Sequence, residues 1–294
     1  MKLLSRYKNN NYFVNLFSNG TKTRFTKDDE FVAEFPESID FSITDWCDIG
    51  CEFCYKGCST KGKHGDIMNL PFIDTLIAGS EIALGGGKLT SHPELVPFLH
   101  KLKQKGIIAS VTVHQYELEN NIEFIEKLIN EKLIYGIGIS FKQMTPILKQ
   151  FLDTYSNAVL HMINGIHTLE DFKAVEGYKV LILGYKTCGR GIAYGEENAH
   201  GNEVMRLQQD LYNELPKMIK KYKVVSFDNL GIVQLEVKRV MSEKEWDEFY
   251  MGDDGQFTMY VDAVSEKFSR SSLQEKEFDL MDNIVDMFKI VKEL

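Results

Sequence analysis

Ile39-Asp-Phe-Ser-Ile-Thr-Asp45 runs through Trp46 into Cys47-Asp-Ile-Gly-Cys51-Glu-Phe-Cys54-Tyr55, and this stretch decides how the sequence is read. The first run alternates apolar and polar residues and is partly β-branched, the pattern of a strand. The second holds three of the chain's five cysteines within eight residues, spaced C-x3-C-x2-C. They fall in the loop that leaves the strand's C-terminal end. Three thiolates on one short loop suit one metal centre, and soft sulfur selects zinc, copper(I) or an iron–sulfur cluster. A four-iron cubane normally takes four cysteines. Three leave one iron with an open position, which separates a reactive site from a sealed structural one.

Outward from that stretch the pattern repeats. Strands are predicted at 81–84, 107–114, 135–140, 158–163 and 178–184. Helices are predicted at 68–78, 92–105, 119–132, 145–155, 169–175 and 202–222, the last with Pro216 inside it. Strands alternating with helices imply right-handed crossovers and a parallel sheet. With the cysteines after the first of six units, the expected fold is α/β, an open, partial (β/α)6 TIM-like barrel. Its chemistry would lie at the C-terminal ends of the strands. Upstream, Asn19-Gly20 between two strand-like runs predicts an N-terminal β-hairpin, read as a structural cap. From Val224 the pattern breaks, and an α+β cap is expected, with a helix capped by Ser242, a strand ending near Asp262 and a helix at 278–292. The division is 1–38 for the hairpin extension, 39–228 for the barrel and 229–294 for the cap.

The C-x3-C-x-Φ-C run, with Phe53 as the aromatic Φ, resembles the signature of the radical S-adenosylmethionine (SAM) superfamily. The resemblance implies one 4Fe–4S cluster on Cys47, Cys51 and Cys54, with SAM on the fourth iron. One electron from the cluster would cleave SAM to a 5′-deoxyadenosyl radical, which abstracts hydrogen from a substrate. Gly85-Gly86-Gly87 with His92-Pro-Glu-Leu95 is similar to the family's Gly-Gly-Glu-Pro region, whose backbone receives the SAM amino group. Lys88 and Leu89 depart from it at the Glu and Pro positions. The resemblance further implies Phe53 against adenine, His114 toward the methionine carboxylate, Ser140 on ribose and Asn164 with Gly165 at adenine. Each of these also reads as an ordinary rim residue. A reductant such as flavodoxin or ferredoxin is implied as partner.

Cys58 is read as a neighbour of the centre, not a ligand. Cys188, on the loop after the sixth strand, is a candidate hydrogen-atom donor or an inert loop thiol. Lys186 and Arg190 on that loop suit an anionic substrate group. His161, inside its strand, reads as a core residue or as one standing just behind the site. No cysteine follows Cys188, so the ligands for a second cluster in a C-terminal extension are missing. A formal net charge of −9 without a dense Lys/Arg block makes nucleic acid an improbable partner. No apolar run reaches membrane-spanning length, so a cytoplasmic protein acting on a peptide or a small metabolite is expected. The competing reading is a zinc-binding or iron–sulfur electron-transfer module without SAM chemistry.

Overall fold

A computed structural model of the chain describes residues 1–273 and 276–294. The N-terminal strands β1 (Leu3–Asn9), β2 (Tyr12–Phe17) and β3 (Lys22–Phe25) form an antiparallel sheet. The β2–β3 hairpin turns at Asn19-Gly20 as expected. β1 was not anticipated; its turn signal is Asn10, which takes a left-handed φ of 51°. This sheet covers the N-terminal end of the main one. The Asn157 amide donates to Ser18 O at 2.6 Å, and Lys179 Nζ to Asn19 O at 3.1 Å. Buried Glu37 accepts from Tyr12 Oη at 2.7 Å and pairs with Arg24 at 2.7 Å, so its charge is compensated.

The main sheet contains β4 (Ser38–Thr44), β5 (Glu81–Gly86), β6 (Ile108–His114), β7 (Gly136–Ser140), β8 (Ala158–Ile163), β9 (Lys179–Leu183), β10 (Val224–Phe227), β11 (Thr258–Asp262), β12 (Lys267–Ser269) and β13 (Glu277–Asp279). Their order is β10-β9-β8-β7-β6-β5-β4-β11-β12-β13. From β10 to β11 every neighbouring pair is parallel; β12 and β13 add antiparallel edges. All six predicted strands are present. Two findings extend them. Residues 224–227, where the alternation was expected to end, form a seventh strand of the series. Residues 258–262, expected in a separate cap, lie parallel to β4 on its free side. The end strands β10 and β13 are not bonded to each other, so the sheet is open and no closed barrel forms.

The helices are α1 (Leu95–Gln104), α2 (Gln115–Asn120), α3 (Ile122–Asn130), α4 (Pro146–Thr154), α5 (Leu169–Ala174), α6 (Arg190–Glu196), α7 (Asn198–Met218), α8 (Asn229–Leu235), α9 (Glu243–Phe249) and α10 (Ile284–Lys292). The helix expected at 68–78 is only a 3-10 turn, Pro71–Thr75. α10 packs on that turn instead, and Ile284 N–H donates to Thr75 Oγ1 at 2.9 Å. The first crossover thus borrows its cover from the C-terminus. The helix expected at 119–132 breaks at Asn121 into α2 and α3, and α6 was not anticipated. The helix expected at 278–292 begins only at Ile284, after β13 and the Asn283 cap.

Alternation along the strands separates two faces. Ile39, Phe41, Ile43, Ile82, Leu84, Val111, Val113, Ile139, Leu160 and Ile182 are buried. Phe41 meets Phe98 of α1 at 5.9 Å between ring centroids, so this face is covered by helices. The opposite face carries Asp40, Ser42, Gly85, Ser110, Thr112, His114, Gly138, Ser140 and His161. Most of these are half-buried or exposed, and polar or small residues prevail.

Candidate functional site

Because the strands are parallel, the loops after β4, β5, β6, β7, β8, β9 and β10 gather at one edge. The cysteine loop is stapled there from two sides. Residues 59–64 return along the end of β4 through bridges Thr44–His64 and Trp46–Ser59, with Cys47 N–H donating to Ser59 O at 3.0 Å. On the other side the glycine run closes on the same backbone. Gly87 N–H donates to Thr44 O at 2.6 Å, and Lys88 N–H to Trp46 O at 2.8 Å. A Cβ on Gly86 would stand 2.4 Å from Thr44 O, and one on Gly87 2.3 Å from Trp46 O. Gly86 also has a φ of +124°, which L side chains rarely adopt. Those two glycines therefore admit the cysteine-loop backbone. Gly85 differs: a Cβ there would meet nothing within 4 Å, so it borders open space.

Arg190 closes the loop from beneath. Its N–H donates to Cys54 O at 3.0 Å, Nε to Cys51 O at 2.9 Å and Nη1 to Cys58 O at 2.9 Å. The guanidinium proposed for an anionic substrate is thus occupied by the cysteine loop's carbonyls. The preceding Gly189 is needed for the same approach, since a Cβ there would lie 2.2 Å from Tyr55 O.

All five cysteines are free thiols, and Cys47, Cys51, Cys54 and Cys188 are half-buried. A hydrogen bond from the Cys58 thiol, with help from the backbone N–H groups of Cys58 and Lys56, lowers the Cys54 pKa to about 5. These contacts favour the thiolate of Cys54, the form that binds metal. Burial and the Cys54 charge push Cys47 and Cys51 the other way. The buried Cys58 thiol donates to Asp45 Oδ1 at 3.9 Å, and its closeness to Cys54 together with burial pushes its pKa up. As they stand, the side chains do not converge: among the described residues no group of three or more His, Cys, Asp or Glu is placed to hold a metal ion. The donor set nevertheless fits a soft metal, with three free, half-buried thiols on one loop whose backbone is held at both ends.

The remaining predicted residues line the same edge. His114, Ser140 and His161 are register partners in a row across β6, β7 and β8. His114 caps α2: its Nδ1 accepts from Tyr116 N–H at 3.1 Å, which assigns the proton to Nε2. His161, read as a core residue or one just behind the site, stands on the open face, half-buried. Burial lowers its pKa to about 4, so it is neutral. Its ring occupies the space a Cβ on Gly138 would fill, at 2.3 Å from Cε1. Asn164 is fully buried; its amide donates to Gln234 Oε1 at 3.1 Å, while Oδ1 has no partner among the described residues. Phe53 meets Tyr194 edge-on at 6.0 Å. Cys188 feels the Cys54 charge and so lies near the cysteine loop, with burial the larger influence on its thiol. Lys88, at the departing position, pairs with Asp48 of the cysteine loop at 2.8 Å. It borders a cavity of about 250 Å³ with Tyr116 and Glu117.

Sequence reasoning missed one cluster altogether. Lys56 Nζ reaches Ser42 Oγ at 2.7 Å, Tyr260 Oη at 3.1 Å, Asp45 at 3.2 Å and the Asp262 carboxylate. Burial works against the ammonium, but Asp262 and Asp45 outweigh it and hold its pKa above the ordinary value. The cysteine loop is thereby tied to β11, more than 200 residues later. Two positions that far apart give no sequence signal. Only the alternation of Tyr260 and Asp262 with buried Met259 and Val261 hinted at a polar face there.

No protein-family model matches the chain, and no curated protein matches it by sequence. Solved structures do match. The fold is similar to that of SuiB from Streptococcus suis, a radical SAM enzyme. With SuiB bound to its precursor peptide SuiA, the TM-score is 0.56 at 12% identity, over 87% of this chain and 65% of SuiB. With SuiB bound to SAM, it is 0.55 at 12% identity, over 89% and 66%. With SuiB alone, it is 0.50 at 12% identity, over 87% and 66%. This chain thus spans just under two thirds of the SuiB chain.

Proposed function

We propose that this chain is a radical SAM enzyme. Cys47, Cys51 and Cys54 would hold one 4Fe–4S cluster, SAM would lie over Gly85 beside His114, Ser140, Asn164 and Phe53, and a flavodoxin or ferredoxin would deliver electrons. The observation that carries this reading is the free C-x3-C-x2-C loop at the C-terminal edge of a parallel sheet similar to that of SuiB. The cluster, when bound, would supply the electron that cleaves SAM to the hydrogen-abstracting 5′-deoxyadenosyl radical. The chain's own residues do the rest. Arg190, Gly86 and Gly87 hold the loop's backbone in place, and Gly85 leaves room beside it. His114 offers an Nε2–H donor, and Asn164 an acceptor oxygen still without a donor. Cys188 is a candidate to return a hydrogen atom to a substrate radical. The open sheet is read as a partial TIM-like barrel over 39–228, extended from the six units expected to seven strands, with 1–38 adding a separate sheet and 229–294 adding β11 to β13 beside β4.

The peptide held by SuiB makes a peptide the favoured substrate class over a small metabolite. No described helix is long and apolar enough to cross a membrane. Anaerobic reconstitution tests the reading. A brown protein with about four irons per chain, forming 5′-deoxyadenosine on reduction, is expected. A colourless zinc protein inert toward SAM would overturn it. Alanine at Cys47, Cys51 or Cys54 should abolish iron binding, whereas Cys58→Ala should retain it.

A further inference from the structure

Lys56 lies two residues after Cys54, yet oxygens from separate stretches of the chain enclose its ammonium. Ser42 Oγ of β4 stands 2.7 Å away, Asp45 just past β4 3.2 Å, and Tyr260 Oη of β11 3.1 Å; the Asp262 carboxylate of β11 completes the set. The Lys56 side chain is 7% exposed and that of Asp262 4%. Asp262 is itself oriented. Its Oδ1 accepts from the N–H groups of Val264 at 2.9 Å and Ser265 at 3.3 Å. That leaves Oδ2 for Lys56 and for Tyr260 Oη, which donates to it at 3.2 Å. The same junction is packed without spare room: a Cβ on Gly65 would stand 2.5 Å from Ala263 Cβ.

The ion pair at the other end of the cysteine loop is of a different kind. Lys88 meets Asp48, beside Cys47, at 2.8 Å, but the two side chains are 25% and 43% exposed. A pair that open to water contributes little. A buried ammonium contributes more, because removing one partner leaves a charge without compensation. Cys47 N–H is tied to Ser59 O, and Arg190 holds the carbonyls of Cys51, Cys54 and Cys58. Those bonds fix the loop's main chain. Lys56 adds what they lack, a side chain of the loop itself locked into the main sheet.

We propose that Lys56 is a positioning residue for the thiol centre: held by Asp262 and Tyr260, it fixes the chain after Cys54 so that Cys54 closes on one metal together with Cys47 and Cys51. This deepens the radical SAM reading and rests on it for the identity of the metal group; the positioning itself serves any soft metal on the three thiols. Outer partners of this sort touch no metal, yet their removal typically costs about 10–100-fold in metal affinity, because the ligands lose their orientation. The strand β11 thereby takes part in the centre although it carries no ligand.

The test uses the full chain, reduced and metal-free, titrated anaerobically with Co(II). The sulfur-to-cobalt charge-transfer band reports thiolate ligands, and the d–d bands report their geometry. Lys56→Met and Asp262→Asn should each weaken Co(II) binding by about tenfold or more and alter the d–d bands. Arg24→Met is the control. It breaks the buried pair with Glu37 at the other end of β4, so it should lower the melting temperature yet keep the wild-type Co(II) affinity and spectrum. An affinity loss in Arg24→Met as large as in Lys56→Met would mean a merely structural role and overturn the proposal. Wild-type affinity and spectrum in a folded Lys56→Met would overturn it too, as would a wild-type protein without the sulfur-to-cobalt band. If Lys56→Met does not fold, Tyr260→Phe decides, since it removes one hydroxyl and no charge: altered d–d bands are expected, and unaltered ones would overturn the proposal. Lys56-dependent Co(II) binding in a protein that fails to cleave SAM after reconstitution with iron and sulfide would sink the radical SAM reading alone. SAM cleavage with Co(II) binding indifferent to Lys56 would sink this proposal alone.

Discussion

The two faces of the main sheet come from the same strands, one residue apart, yet they are built to opposite rules. The covered face packs Phe41 between Phe72 and Phe98 and repeats Ile, Leu and Val along β4 to β9. The open face offers Asp40, Ser42, Gly85, Ser110, Gly138, Ser140 and His161. Its glycines matter for what they leave empty: Gly85 borders open space, and Gly138 accommodates the His161 ring. Stability is concentrated on one side of the sheet and chemistry on the other, because a parallel strand covered by helices on a single face needs only alternate residues for its core.

The sharpest way to break this contrast is to delete one side chain on each face. Phe41→Ala should lower the unfolding free energy by about 3–5 kcal/mol, as large-to-small changes in a packed core do. Ser110→Ala on the open face should stay within about 0.5 kcal/mol. Urea unfolding measures both, and equal losses would contradict the division. Next come the adjacent glycines. Gly86→Val forces a strained φ and a clash with Thr44 O, costing about 1–3 kcal/mol or more. Gly85→Val should keep the wild-type melting temperature but weaken SAM at least tenfold; unchanged affinity would remove Gly85 from the SAM site. Smaller again is Gly138→Ala, whose Cβ would press on the His161 ring and cost about 1–3 kcal/mol as overpacking unless the ring swings into the open space. A melting temperature equal to wild type, with a shifted His161 imidazole signal, would indicate the swing.

The smallest effect is a pH slope set by the open face. His161 has a folded pKa below its unfolded value. Between pH 6.5 and about 4 the unfolded chain therefore binds a proton that the folded chain does not, and stability falls as pH falls. His92, His114 and His167 shift in the same direction, burial being the first cause each time. Thermal melts from pH 4 to 7 should show a flatter acid loss in His161→Gln than in the wild-type protein. A slope equal to the wild-type one would mean that His161 is not desolvated on this face.

Much of this was legible because it is local. Alternation located β4 to β9, Asn19-Gly20 gave the β2–β3 turn, and Ser242 with Glu245 formed the expected capping box at α9. The cysteine spacing is likewise local, and so is the placement of His114 and Ser140 at strand ends. The helix expected at 68–78 failed because α10, some 200 residues later, covers that crossover and leaves Pro71–Thr75 a single turn. The role of Gly86 and Gly87 was read as room for a ligand, whereas the structure fills that room with Thr44–Trp46 backbone.

By itself, then, the sequence determined the strand–helix alternation, the thiol loop and the edge at which it sits, since periodicity and short-range spacing are carried by neighbours in the chain. Only the tertiary structure decided which residues face each other across the open side. The insertion of β11 beside β4, Lys56 among Asp45, Tyr260 and Asp262, and Arg190 turned onto the cysteine loop all depend on segments far apart in sequence. Such contacts follow from packing and hydrogen bonding in three dimensions, on which no local pattern bears.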